Sequence, residues 1–348
     1  MPSFRHATAT EVLAERDGFV RVRLDDGSRA FALTQLTGPV GLGDEVVVNT
    51  TAVELELGSG GWHVVHWNLT RGPWSEPGPG HLMKLRYTSL QVDTGAAEED
   101  GVPVARSLHG TPVIVTGVHS QLPIAAAAIG ALRPGTRTAY VMTDGAALPM
   151  AMSDQVVALT DLGLLSGTVS AGHAFGGDLE ALNVPSGLAL ARHRLDAEVI
   201  IVGMGPGIAG TASELGFTGL EAAPALDAVA WLEGRPIYCL RCSDADPRAR
   251  HRGISHHSTT VLDAVRSEVD VALPPGIDAA DDRHRWHPIH PGDVGRLLAD
   301  NGLEVTTMGR GPEEDPLYFA AAAAAGHLAV RLLSGGGDPM LAVGSTTS

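Results

Sequence analysis

The sequence predicts an α/β protein in which a mostly parallel sheet flanked by helices follows a small N-terminal β-barrel of SH3-like or OB-like kind. Three observations carry the prediction. Residues 1–72 read as short strands broken by Gly turns. From about residue 104, short apolar runs alternate with helical segments of roughly 3.6-residue period. One of those runs, Glu198–Val202, is nearly all apolar, as a strand buried on both faces must be. At 348 residues, 44% hydrophobic and 18% charged, the chain is long enough for two domains with a real core.

In the barrel segment, GFVRVRLDDGSRAFAL alternates apolar and polar residues across an Asp25-Asp26-Gly27 turn, the signature of a hairpin. Further strands follow, interrupted at Gly58-Ser59-Gly60-Gly61. Pro and Gly then crowd RGPWSEPGPGH (71–81), and residues 73–103 read as a linker and connecting segment. Residues 104–348 form the α/β ligand-binding domain. Its expected strands are Pro112–Thr116, Thr138–Met142, Gly167–Ser170, Glu198–Val202, Pro236–Arg241, Val269–Leu273 and Glu304–Thr307. Leu122–Leu132 and Ser153–Leu162 are expected helices between them. Tyr318–Leu333 is an Ala-rich helix whose smooth surface suits close packing inside the fold or across a homodimer.

Charge and cysteine content narrow the function. With 24 Lys+Arg against 40 Asp+Glu the net charge is −16, so nucleic acid and anionic membranes are excluded as partners, whereas a small anion answers only to a local field. The N-terminus lacks the apolar stretch of a signal peptide, and no run of about 18 apolar residues is expected to span a bilayer. Two cysteines make no disulfide framework, which points to the cytoplasm.

Candidate chemistry collects where the strands end. His119 follows the first strand, Asp144 the second, and His173 and Asp178 the third; Gly205 follows the fourth, and Asp244 the IYCLRC run. In a parallel sheet these positions share one edge, where open α/β proteins bind ligands. Gly205-x-Gly207-x-x-Gly210-Thr211, after an apolar strand and before an expected helix, suits an anion held by backbone N–H groups. The dinucleotide fingerprint is incomplete, because no acidic residue ends the next strand at the required spacing; Asp244 lies much further on. No Walker A lysine motif and no G-x-S-x-G elbow occur.

A second cluster, DPRARHRGISHHS (246–258), joins Arg248, Arg250 and Arg252 to His251, His256 and His257. Anion contact with His as acid or base is favoured over metal binding, since adjacent His256 and His257 do not easily share one ion. Cys239 and Cys242 fall in a strand and read as core residues, while DDRHRWHPIH (281–290) reads as a surface loop.

The strings H-S-Q-L (119–122), T-D-G-A-A-L-P (143–149), G-H-A-F-G-G-D (172–178), M-G-P-G (204–207) and H-R-G-I-S-H-H (251–257) resemble the bacterial domain-of-unknown-function family 3866, as does N-T-T-A-V-E-L (49–55). The resemblance covers nearly the whole chain and implies no activity.

These readings lead to an enzyme-like protein binding a small anionic ligand, phosphorylated or nucleotide, with hydrolysis or group transfer as the reaction class. Gly205, Gly207, Gly210, Thr211, Asp244, Arg250 and Arg252 would bind the ligand; His119, His173 and His256 would move protons, with Asp144 and Asp178 orienting them. No motif names a cofactor. The rival readings are a metal-dependent hydrolase using His119, Asp144, His173 and His257, and a non-catalytic ligand sensor or assembly module.

Overall fold

The computed structural model describes residues 2–57 and 60–334; Gly58 and Ser59 of the expected turn, and 335–348, lie outside them. The chain divides into a unit ending at Ala96 and a second beginning at Ala97.

The first unit is a closed five-stranded barrel of β1 (Phe4–Arg16), β2 (Phe19–Leu24), β3 (Arg29–Leu33), β4 (Glu45–Asn49) and β5 (Trp62–Asn68), with one-turn helices α1 (Thr34–Thr37) and α2 (Thr51–Glu54). Strand order is β1-β2-β3-β5-β4, with β3 and β5 parallel, which is the OB-like of the two expected arrangements. Alternation places Ala9, Val20, Val22, Leu24, Ala30, Ala32, Val46, Val48 and Val65 inside. At the Asp25-Asp26-Gly27 turn, Gly27 takes φ +83°, a conformation only glycine adopts without strain. A ribbon of β6 (Met83–Lys84) and β7 (Val92–Asp93) closes the unit.

The second unit is an eight-stranded, all-parallel sheet between two layers of helices. Its strands are β8 (Pro112–Thr116), β9 (Thr138–Thr143), β10 (Gly167–Ser170), β11 (Leu179–Glu180), β12 (Val199–Met204), β13 (Arg235–Cys239), β16 (Asp270–Leu273) and β17 (Arg285–Pro288). A separate two-stranded sheet pairs β14 (Cys242–Ser243) with β15 (Gly253–Ile254). The order β11-β10-β9-β12-β8-β13-β16-β17 puts β8 and β12 side by side at the centre. One face is covered by α3 (Gln121–Leu132), α4 (Asp154–Asp161), α8 (Val294–Asp300) and α9 (Pro316–Leu333), packed on Ile114, Tyr140, Ile201 and Ile237. The other carries α5 (Val184–His193), α6 (Ala222–Trp231) and α7 (His256–Ala264), packed on Val113, Val141, Ile200 and Val271. Both faces of the central strands are therefore buried, which is why their sequences run apolar without alternation.

Three expectations need correction. Glu304–Thr307 forms no strand: it runs extended to a tight turn in which Thr307 and Arg310 exchange backbone hydrogen bonds of 2.9 Å around Met308 (φ 49°) and Gly309 (φ 80°). The 281–290 segment is no surface loop. It contains the edge strand β17, and His287 donates from Nε2 to the buried Asp270 (2.7 Å) while its Nδ1 accepts from Arg331 (2.8 Å). Finally, α9 is long and apolar enough to cross a membrane by composition alone. Its Tyr318, Phe319 and Ala321–Gly326 are buried in the core, and Gly326 lies against α3, where a Cβ would come 2.6 Å from the Ala125 carbonyl oxygen. The Ala-rich surface is used inside the fold.

Candidate functional site

After β8 the chain turns into α3 on one face; after β12 it runs to α6 on the other. Adjacent strands that depart to opposite faces open a crevice at their carboxyl ends. His119 sits in it, half-buried. Its Nδ1 faces the Met204 carbonyl at the end of β12 (3.1 Å), and its Nε2 faces Ser153 Oγ (2.7 Å), which also caps α4 by accepting from the Val156 amide (3.0 Å). The consistent tautomer has Nδ1–H donating to Met204 and Nε2 accepting from the Ser153 hydroxyl. Tyr140 donates to the Gly203 and Met204 carbonyls from beneath (3.0 Å each). Burial holds His119 down to about 4, so it is neutral at pH 7. With both nitrogens engaged it clasps β12 to α4, and a proton-transfer role would require Ser153 to be displaced.

Above His119 lies a cavity of about 270 Å³ walled by Val118, Ser120, Ile208, Arg241, Val305 and Met308, among others. A second, of about 190 Å³, shares Ile208, Arg241 and Met308 with it and adds Arg248, Arg250, His251 and His257. Arg241 therefore faces both. It follows β13, is 7% exposed, and donates from Nη1 to His257 Nδ1 (3.0 Å). Among the described residues no carboxylate lies within ion-pair distance of its guanidinium. Asp246, the acidic group whose charge reaches it, is already bound in a fork by Arg248 (2.9 and 2.8 Å) and approached by Arg310 (3.5 Å). Burying a guanidinium without a counter-charge is costly, and the cost lowers its proton affinity.

The histidine loop packs beside it. Ser255 caps α7 by accepting from the His257 amide (3.2 Å) and bonds His251 Nδ1 (2.7 Å). The rings of His251, His256 and His257 lie 4.4–4.9 Å apart, and His257 stacks flat on Phe217 at 3.8 Å. Burial and the neighbouring Arg241 push His251 to about 4 and His257 to about 3; His256 is lowered by burial and by Arg250.

The glycine segment differs from expectation. No helix follows it directly: residues 205–217 form a loop pinched by a Gly210–Phe217 bridge, and α6 starts only at Ala222. The Ala209 and Thr211 amides are spent on Thr218 Oγ1 (3.2 Å) and the Gly216 carbonyl (2.7 Å), so the loop presents no helix N-terminus to an anion. Gly205 is buried where a Cβ would stand 2.4 Å from the Ala147 carbonyl oxygen, so packing requires that glycine. Gly207 lines the larger cavity and Gly210 the smaller.

The remaining candidates separate. Asp144 is exposed and accepts from the His173 amide (3.1 Å); neither lines the two cavities. Asp178 binds the amide and hydroxyl of Thr168 (2.8 and 3.0 Å) and ties β11 to β10. The set His119, Asp144, His173 and His257 is thus not gathered around one point. Arg250 lines the smaller cavity, Arg252 is exposed and donates to the Asp246 carbonyl (3.0 Å), and Asp244 and Thr211 are exposed. Cys239 and Cys242 are free and buried, as core residues.

Arg241, Ser153, Tyr140 and Ser120 were not singled out by sequence. Arg241 alone had a signal: one cation ending the otherwise apolar run Ile237–Leu240.

The closed barrel and the helix-flanked parallel sheet, with a crevice at the sheet's carboxyl edge, define a two-unit α/β protein. The model of the family described as "Protein of unknown function (DUF3866)" matches residues 29–326, and the chain belongs to that family. No curated protein matches the chain.

Proposed function

We propose that the protein binds a small anionic ligand, phosphorylated or nucleotide in kind, in the paired cavities at the carboxyl edge of the sheet. The observation that carries this reading is Arg241: a buried guanidinium with no carboxylate partner among the described residues, facing both cavities. An anion there would supply the missing counter-charge and accept the guanidinium's unused donors. Arg248 and Arg250 extend the positive field in the smaller cavity, while Val118, Ile208, Val305 and Met308 give the larger one apolar walls for an organic portion. Hydrolysis or group transfer is the reaction class that fits such a ligand, and turnover of any bound compound separates an enzyme from a ligand sensor. The net charge of −16 argues against nucleic acid, and two free thiols suit the cytoplasm.

The test is thermal unfolding of the full chain with phosphate, pyrophosphate, nucleotides and sugar phosphates. At least one is expected to raise Tm in a concentration-dependent way, and the rise at a given concentration is expected to be smaller in Arg241→Gln. No stabilisation by any of them overturns the reading.

A further inference from the structure

We propose that His251, His256 and His257 form a site for a zinc-like transition-metal ion, with three imidazole donors and a fourth position open toward the arginine-lined cavity. One ligand atom from each of the three lies within 4.8 Å of the others. Tetrahedral zinc with Zn–N bonds of about 2.0–2.1 Å needs donors roughly 3.3 Å apart, so the rings must close by at most about 1.5 Å, which side-chain torsions can supply. His256 and His257 stand in the first turn of α7, and the short turn at Ala249–His251 brings in the third ring. Adjacency in sequence is therefore no obstacle: the two rings converge at 4.4 Å.

A second observation points the same way. His256 Nε2 is buried and has no hydrogen-bond partner, an open donor site inside a polar cluster. The surroundings also fit a ligand set. Ser255 holds His251 by Nδ1, leaving Nε2 to a metal, and Phe217 fixes the plane of His257. A neutral imidazole has one lone-pair nitrogen to give, so each of the three rings can supply one ligand atom.

The facing charges set the character of the site. Arg241, Arg248 and Arg250 are cationic; Glu214 acts on His256, and Asp246 is committed to Arg248 and Arg310. A dication in this field favours an anion as its fourth ligand. Whichever nitrogen His257 presents, its Nδ1 can no longer accept from Arg241, because that nitrogen then carries either the metal or the proton. Metal entry would thus release the Arg241 guanidinium into the cavity.

The experiment uses the tag-free full chain, stripped with chelator and exchanged into phosphate-free buffer, so that its outcome does not depend on the anion reading. Titration with Co²⁺ is expected to give the visible absorption of a nitrogen-ligated four-coordinate ion at one per chain, displaced by Zn²⁺. His256→Asn and His257→Asn are each expected to weaken binding at least tenfold. Circular dichroism of the metal-free variants is expected to match that of the metal-free wild type, so that weaker binding reports the lost ligand and not a lost fold. Absence of saturable binding, or binding unchanged in both variants, overturns the proposal.

Discussion

Replacing Asp270 by Ala tests a buried carboxylate that two arginines and a histidine share. The carboxylate is fully buried on β16 and receives Arg285 Nε and Nη2 (2.8 and 3.1 Å), Arg235 Nη2 (3.1 Å) and His287 Nε2 (2.7 Å). Breaking a buried pair by removing one partner costs about 3–5 kcal/mol. The low end, about 3 kcal/mol, applies because the Arg235 and Arg285 side chains are 42% and 38% exposed and regain water. For a unit of this size that is a fall in Tm of roughly 6–12 °C, read by calorimetry. Burial alone would raise the Asp270 carboxyl, but the hydrogen bonds from His287 and Arg285 hold it well below its ordinary value of 3.8. A depressed acid stabilises above its unfolded value and loses that contribution as pH falls. The difference between wild type and Asp270→Ala should therefore hold from pH 5 to 8 and shrink below pH 3.8. A Tm change under about 2 °C at pH 7 would refute the reasoning.

Other outcomes follow from the crevice. Gly205→Ala, whose Cβ would meet the Ala147 carbonyl oxygen at 2.4 Å, should destabilise by about 1–3 kcal/mol while leaving the folded protein's anion affinity unchanged; an affinity loss without a stability loss would restore a ligand role to that glycine. His119 and His251 at about 4, and His257 at about 3, sit below the ordinary 6.5. The unfolded chain therefore takes up protons first as pH falls. Tm should be flat above pH 6.5 and drop progressively toward pH 4, less steeply in His119→Gln; a flat profile between pH 7 and 5 would contradict the burial of these rings.

The fold was legible where burial leaves a simple pattern. Apolar runs marked β8, β9, β10, β12, β13 and β16, because a central parallel strand has no solvent face to interrupt it. The edge strand β17 was hidden: RWHP carries polar groups that satisfy Asp270 and Arg331, and polarity alone reads as a loop. Glu304–Thr307 had a strand's composition, but among the described residues its backbone pairing is only the local Thr307–Arg310 bridge. The carboxyl edge was legible from topology, which is how the sequence drew attention to His119 and the 246–258 loop. Their roles were not, because they depend on which groups already hold each side chain. The glycine pattern marks close packing at Gly205, and Arg241 announced itself only by standing at the end of an apolar run.

The most direct test is calorimetric titration of wild type and Arg241→Gln with whichever phosphorylated compound stabilises the protein most. A charge-assisted contact worth about 1.5–3 kcal/mol predicts a loss of about 10- to 150-fold in affinity, with the fold retained. Equal affinity in the two proteins would contradict the assignment of Arg241 as the anion anchor.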